Sequence, residues 1–231
     1  MSGLRLTAAG GGVALALALG WLAAVAVAGR ASEAAHPARW EKEVQAFEAA
    51  DRTNPPPPHP ILFIGSSSIR FWRTLAHDFP GLPVINRGFG GSEMADSVAL
   101  AERLVLPYQP REIVVYAGDN DVAAGKAPQQ ILADFQAFVA KVHHWFPATR
   151  ILYLAIKPSP SRWRLAAQIR ATNSLVAAAA KRSPGVEFID VFTPMLRPDG
   201  QPRAELFRPD MLHMNAAGYA LWTRLLRPHL E

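Results

Sequence analysis

Cysteine is absent from the 231-residue chain, and with it go disulfides, thiolate catalysis and cysteine-based zinc sites. Also missing is any basic stripe interleaved with aromatics. The 24 Lys and Arg residues outnumber the 19 Asp and Glu, giving a formal charge of +5, but they are scattered, which argues against a nucleic-acid partner. No solenoid-type internal repeat is visible. What remains is ordinary for a globular protein: half the residues are apolar and 19% charged, too apolar for a largely disordered chain. The length suits one full-sized domain plus a short terminal segment.

The terminal segment is at the start. Arg5 precedes an uncharged run from Leu6 to Gly29, with small residues at Ala26-Val27-Ala28. A positive start, an apolar stretch and an A-x-A site read as a signal peptide. The run, about 20 residues, is equally long enough to cross a bilayer as an uncleaved anchor. Either outcome places the rest of the chain outside the cytoplasm, in the periplasm or cell envelope, released or attached to the membrane through this segment. The expected organisation is a leader at 1–29, an N-terminal helix and Pro-rich connector at 30–60, and one catalytic-sized domain at 61–231. The helix is expected over Ser32–Asp51, with Trp40, Val44 and Phe47 on one face. Asn54 to Pro60, nearly all proline, can be only a stiff extended connector.

From Ile61 onward a short apolar run, a loop and a helical segment alternate. The runs are Ile61–Ile64, Pro83–Ile85, Ile113–Tyr116, Ile151–Ile156 and Val186–Ile189. Their continuous hydrophobicity fits strands buried on both faces of a parallel sheet. Helices are expected near Ile69–His77, Glu93–Arg103, Pro128–Phe146, Arg162–Lys181 and Ala216–Leu226. This alternation predicts a three-layer α/β/α sandwich with right-handed crossovers.

In such folds ligands gather beyond the carboxyl ends of the strands. The first three runs lead into the most unusual loops in the chain: Gly65-Ser66-Ser67-Ser68, then Asn86 through Ser92 with Gly88, Gly90 and Gly91, then Ala117-Gly118-Asp119-Asn120-Asp121. A serine at a tight strand-to-helix turn presents its hydroxyl beside unpaired N–H groups. Ser67 is the best placed, with Ser66 and Ser68 as competitors and helix capping as the plainer reading. Gly91 can bring a backbone N–H to the same place, or simply make a flexible turn. Asn120 offers a neutral NH2 donor suited to an oxyanion, though Asx residues also favour turns. Near the C-terminus Asp210 and His213 stand three apart. In a helical turn they would share a face, the carboxylate holding one imidazole nitrogen and freeing the other as a base.

Four blocks thus stand in order: Phe-Ile-Gly-Ser-Ser67-Ser-Ile, Asn-Arg-Gly-Phe-Gly-Gly91-Ser, Ala-Gly-Asp-Asn120-Asp and Asp210-Met-Leu-His213-Met-Asn. Together they resemble the SGNH/GDSL hydrolase superfamily, over about Ile61 to Leu226. The resemblance implies a flavodoxin-like, five-stranded parallel sheet and a serine carboxylic-ester hydrolase that needs no cofactor and no metal. It assigns Ser67 as nucleophile, His213 as base, Asp210 as the carboxylate orienting it, and Ser67, Gly91 and Asn120 as oxyanion donors. One position departs from the pattern: the usual Gly-Asp-Ser-Leu opening is Gly65-Ser66-Ser67-Ser68, so no role is carried over for that Asp. The opening is similar to that of a bacterial subgroup with Gly-Ser-Ser-Ser-Ile-Arg.

The expected substrates are short acyl or acetyl esters, of carbohydrate or lysolipid. No long apolar lid segment follows the leader, which disfavours a triglyceride lipase. Lys157, Arg162 and Trp163, in the loop after the fourth run, are candidate substrate-binding residues. Two rival readings are a metal-dependent phosphoesterase using Asp119, Asp121, Asp210 and His213, and a non-catalytic envelope binding protein on a hydrolase fold.

Overall fold

The computed structural model describes residues 37–230. The expected leader and the expected helix start at Ser32 lie outside the described residues. The chain forms a five-stranded parallel sheet in the order β2-β1-β3-β4-β5. Its strands are β1 Ile61–Gly65, β2 Val84–Gly88, β3 Glu112–Tyr116, β4 Arg150–Leu154 and β5 Val186–Ile189. The helices are α1 Glu41–Thr53, α2 Ser67–Arg70, α3 Leu75–Asp78, α4 Met94–Ala99, α5 Ala101–Leu104, α6 Asp119–Ala123, α7 Pro128–Trp145, α8 Ala166–Ala180 and α9 Ala216–Leu226.

Strand alternation creates two cores. Ile61, Phe63, Val114, Tyr116, Leu152 and Leu154 point to one face, where Trp72 and Trp222 cover them. Leu62, Ile64, Ile113, Val115, Ile151 and Tyr153 point to the other, under Trp40, Phe135 and Phe138. A period of two with both positions apolar is what burial on two faces demands. Each such side chain contributes about 1.5–3 kcal/mol on burial.

Some boundaries differ from those read in the sequence. Helix α1 begins at Glu41, after a single 3-10 turn over Pro37–Trp40; Trp40 and Val44 are buried as expected, with Phe47 packed alongside. The segment from Asn86 to Gly88, expected as loop, extends β2, and the Asn86 side chain donates to Ile69 O and accepts from the Gly88 N–H. The Ile69–His77 helix is two short helices. The indole of Trp72 and the hydroxyl of Thr74 both donate to Asp78 Oδ2 at 2.7 Å, closing a turn between them. The Glu93–Arg103 helix is likewise two pieces, α4 and α5, that meet at Leu100. Helix α8 begins at Ala166 rather than Arg162, because Pro160 opens a 3-10 segment through Leu165.

The sheet order reverses between β1 and β3. Chain leaving those two strands in opposite directions opens a crevice at their carboxyl ends. The Ser67 turn and the Asn120 loop border it.

Candidate active site

The turn after β1 is made by Gly65, whose φ is +133°. A Cβ there would fall 1.9 Å from the carbonyl oxygen of Tyr116 on β3, so only glycine fits. Ser66 N–H then donates to that same oxygen at 3.0 Å, and α2 starts at Ser67. Of the three serines, Ser66 and Ser68 are buried. Ser67 alone is half-buried with its hydroxyl on a histidine: Ser67 Oγ lies 3.1 Å from His213 Nε2 across 146 residues of sequence.

His213 is carried by a loop rather than by the helical turn anticipated for it. Phe207 and Met214 form an antiparallel bridge, and Arg208 N–H donates to His213 O at 2.7 Å. Inside that pinch Asp210 Oδ1 accepts the N–H groups of Leu212 and His213, both at 2.9 Å. This Asx-type turn brings the two side chains together. His213 Nδ1–H donates to Asp210 Oδ2 at 2.7 Å, which leaves Nε2 as acceptor for the Ser67 hydroxyl. Partial burial pushes the Asp210 carboxyl up. The His213 ring and the two backbone N–H groups overcome it and hold the carboxyl at about 2. The Phe71 ring meets the imidazole edge-on, with centres 5.0 Å apart.

Three candidate oxyanion donors lie in the loops that border this crevice. Among the described residues neither the Ser67 nor the Gly91 N–H donates to a carbonyl, and Gly91 has a φ of +78°. Asn120 Nδ2 spends one hydrogen on Ser92 O at 2.9 Å and keeps the other. Its Oδ1 accepts from Arg162 Nη2 at 3.0 Å. The amide is thereby fixed from both ends.

The substrate-binding candidates fare differently. Lys157 is 1% exposed, its ammonium 2.6 Å from Asp119 Oδ2 and 3.2 Å from the Tyr116 hydroxyl. That corrects its placement in the pocket: it is an internal counter-ion with no face to offer a ligand. Arg162, partly exposed, is tied to Asp119 Oδ1 at 2.5 Å and to Asn120 Oδ1 at 3.0 Å, so its guanidinium is held against the Asn120 loop. Trp163 stacks on Phe192 and lies under Arg170, neither of which belongs to the serine–histidine pair.

The metal-ion alternative meets a chemical obstacle. Asp119 is saturated by Lys157 and Arg162. Asp121 accepts from Met94 N–H and lies 3.3 Å from Lys126 on the other side of the loop. Among the described residues no three acidic or histidine side chains gather as a ligand set. Sequence reading weighed Asp119 only as a ligand; its tie to Lys157, 38 residues on, left no local signal. Phe71, beside the imidazole, was missed outright.

Solved structures share this architecture. One, named for a platelet activating factor from Streptococcus pneumonia, is 21% identical with a TM-score of 0.75, covering 96% of this chain and 100% of that one. A GDSL-like lipase from Bacteroides thetaiotaomicron is 18% identical, TM-score 0.69, over 80% of this chain and 96% of that one. A catalytic mutant of an acetylxylan esterase from Geobacillus stearothermophilus is 18% identical, TM-score 0.60, over 73% and 93%. At these identities they show the fold alone. No curated protein matches the chain. The sequence profile of the GDSL-like lipase/acylhydrolase family matches residues 63–221, more than half of the chain. With its parallel sheet and that match, the chain belongs to the GDSL-like lipase/acylhydrolase family.

Proposed function

We propose that the protein is a serine carboxylic-ester hydrolase working through an acyl-enzyme, with Ser67 as nucleophile. The observation that carries this reading is the continuous hydrogen-bonded line from Ser67 Oγ through His213 to Asp210, at 3.1 and 2.7 Å. Ser67 Oγ attacks the ester carbonyl carbon as its proton passes to His213 Nε2. The carbonyl oxygen becomes an oxyanion held by the N–H groups of Ser67 and Gly91 and the free N–H of Asn120. Collapse of the tetrahedral adduct expels the alcohol, which takes the proton from Nε2. Water then repeats the sequence on the acyl-enzyme, releasing the acid and restoring Ser67. Asp210 stays ionised throughout, since its carboxyl is held at about 2, and it stabilises the transient imidazolium.

Short acyl or acetyl esters, of carbohydrate or lysolipid, are the proposed substrates. The lack of a long apolar lid segment supports this choice, and so does the likeness to a fold-mate named as an acetylxylan esterase. The test is hydrolysis of p-nitrophenyl esters from acetate upward, wild type beside Ser67→Ala. The variant should fold normally and lose about 10⁴-fold or more in kcat. A variant that kept most of its activity would remove Ser67 from the mechanism.

A further inference from the structure

Around Ser67 stand more guanidinium groups than ester hydrolysis requires. Phe71 lies against the His213 imidazole, and two arginines flank Phe71: the Arg208 Cζ is 5.0 Å from its ring centre and the Arg70 Cζ 6.0 Å. On the oxyanion side, Arg70 Nη1 comes within 3.0 Å of the point a Cβ on Gly90 would occupy. Arg39 Nη2 comes within 3.2 Å of the same point on Gly91. Arg39 is held there by its neighbour. Trp40 buries its indole edge-on against Phe89 and donates Nε1–H to Gly90 O at 2.9 Å. The turn that opens the described chain therefore lies across the glycine-rich loop and sets an arginine over it.

These charges are poorly compensated. Asp210 is committed to His213. Glu43 stands 3.8 Å from Arg70, beyond hydrogen-bond distance, and the Arg70 side chain is half-exposed. Among the described residues Arg39 and Arg208 pair with no carboxylate. Arg208 is instead aimed by a hydrogen bond from Nε to Met214 O at 3.0 Å. Arg87 and Arg162, by contrast, are each closed by an aspartate at 2.5 Å. A neutral ester has no use for open planar donors beside both Phe71 and the Gly90–Gly91 turn. A carboxylate or phosphate does, because guanidinium groups bind such oxyanions by two parallel hydrogen bonds.

We propose that Arg39, Arg70 and Arg208 form an anion-binding rim, and that the preferred ester carries a negative group close to the bond that is cut. The inference rests on the serine-hydrolase reading for the cut, while anion binding stands on its own. The first measurement compares mono(4-nitrophenyl) succinate with 4-nitrophenyl butyrate, similar in size and different in charge. The wild type should favour the anionic ester by about tenfold or more in kcat/KM, and 0.5 M NaCl should narrow the gap. Arg39→Gln combined with Arg208→Gln should lower the anionic-to-neutral ratio about tenfold. A ratio near one in the wild type, or one that the double variant keeps, overturns the proposal. A carboxylate source predicts preference for the succinate ester alone. A phosphate source predicts faster fatty-acid release from lysophosphatidylglycerol than from a monoacylglycerol. The second measurement is calorimetric titration of Ser67→Ala with mono(4-nitrophenyl) succinate. Binding there, lost when both arginines are also replaced, supports the rim even if the wild type cleaves neither ester, which would sink only the catalytic reading. Absence of binding to Ser67→Ala counts against the rim itself.

Discussion

Two ionic clusters flank Asn120 with opposite charge balance. On one side Asp119, almost wholly buried, is closed by two cations, Lys157 and Arg162. Burial pushes its carboxyl up, yet those two charges hold it at about 2. On the other side one ammonium, Lys126, serves three carboxylates: Glu93 at 2.9 Å, Asp121 at 3.3 Å and Asp134 at 3.4 Å. There burial outweighs Lys126 and the Met94 N–H, and Asp121 rises to about 6. The two aspartates are separated by one residue, so α6 turns them to different neighbours. The first cluster reaches the Asn120 side chain through Arg162. The second reaches the backbone of α4 at Met94, just past the Gly91–Ser92 turn. One well-compensated cluster fixes the Asn120 amide, the proposed side-chain donor, and one with excess negative charge fixes the segment that follows Gly91, the proposed peptide donor.

Breaking the first cluster should cost most. Asp119→Ala leaves Lys157 inside the protein without its carboxylate. Removing one partner of such a pair costs about 3–5 kcal/mol. Urea denaturation of the variant against wild type checks this; a loss below about 1 kcal/mol would mean that Lys157 does not depend on Asp119.

The second cluster should behave in the reverse sense. Because Asp121 titrates higher in the folded protein than the ordinary 3.8, the folded state binds that proton more tightly. Its stabilising contribution is complete below about pH 4 and is lost as pH rises through about 6. Asp121→Asn removes the titration while keeping an oxygen to accept from Met94. The stability of the variant relative to wild type should therefore improve by roughly 2 kcal/mol between pH 4 and 7. Asp134, also pushed upward by burial, shares Lys126 with Asp121, so Asp134→Asn and the double variant are measured beside it to separate the two titrations. A difference that stays flat across that range would show Asp121 already ionised at pH 4.

Much of this arrangement was legible in the sequence. Five apolar runs between loops marked the strands, most clearly the three central ones, β1, β3 and β4, which are buried along nearly their whole length. The meeting of Ser67 with His213 was expected from short ordered motifs, but the Asp210–His213 pair is made by the pinch between Phe207 and Met214 and not by a helical turn. What the sequence hid was decided by partners far along the chain. Lys157 looks like a loop lysine free to meet substrate; only Asp119, 38 residues before it, turns it inward. Asn86 looks like a turn residue, yet its amide caps neighbouring backbone and lets β2 continue. Arg39 gave no hint that Trp40 would carry it to Gly91.

The subtlest difference between the clusters concerns how a donor is aimed. Arg162 donates to Asn120 Oδ1 while Asn120 donates to Ser92 O, so Arg162 is a positioning residue for the amide. It also draws electron density from that amide and sharpens the remaining N–H. Arg162→Gln should lower kcat about tenfold and leave KM nearly unchanged, since the oxyanion exists only after attack. Asn120→Ala alone should cost about 10²–10³-fold in kcat. Added to it, Arg162→Gln should cost little more, because the group it aims is gone. An equal tenfold loss in both backgrounds would show that Arg162 acts through Asp119 and the protein interior instead. Arg162→Lys separates the two routes further: an ammonium can still neutralise Asp119, but it cannot span Asp119 and Asn120 with a rigid fork. If Lys restores stability but not kcat, the guanidinium geometry at Asn120 is what catalysis requires.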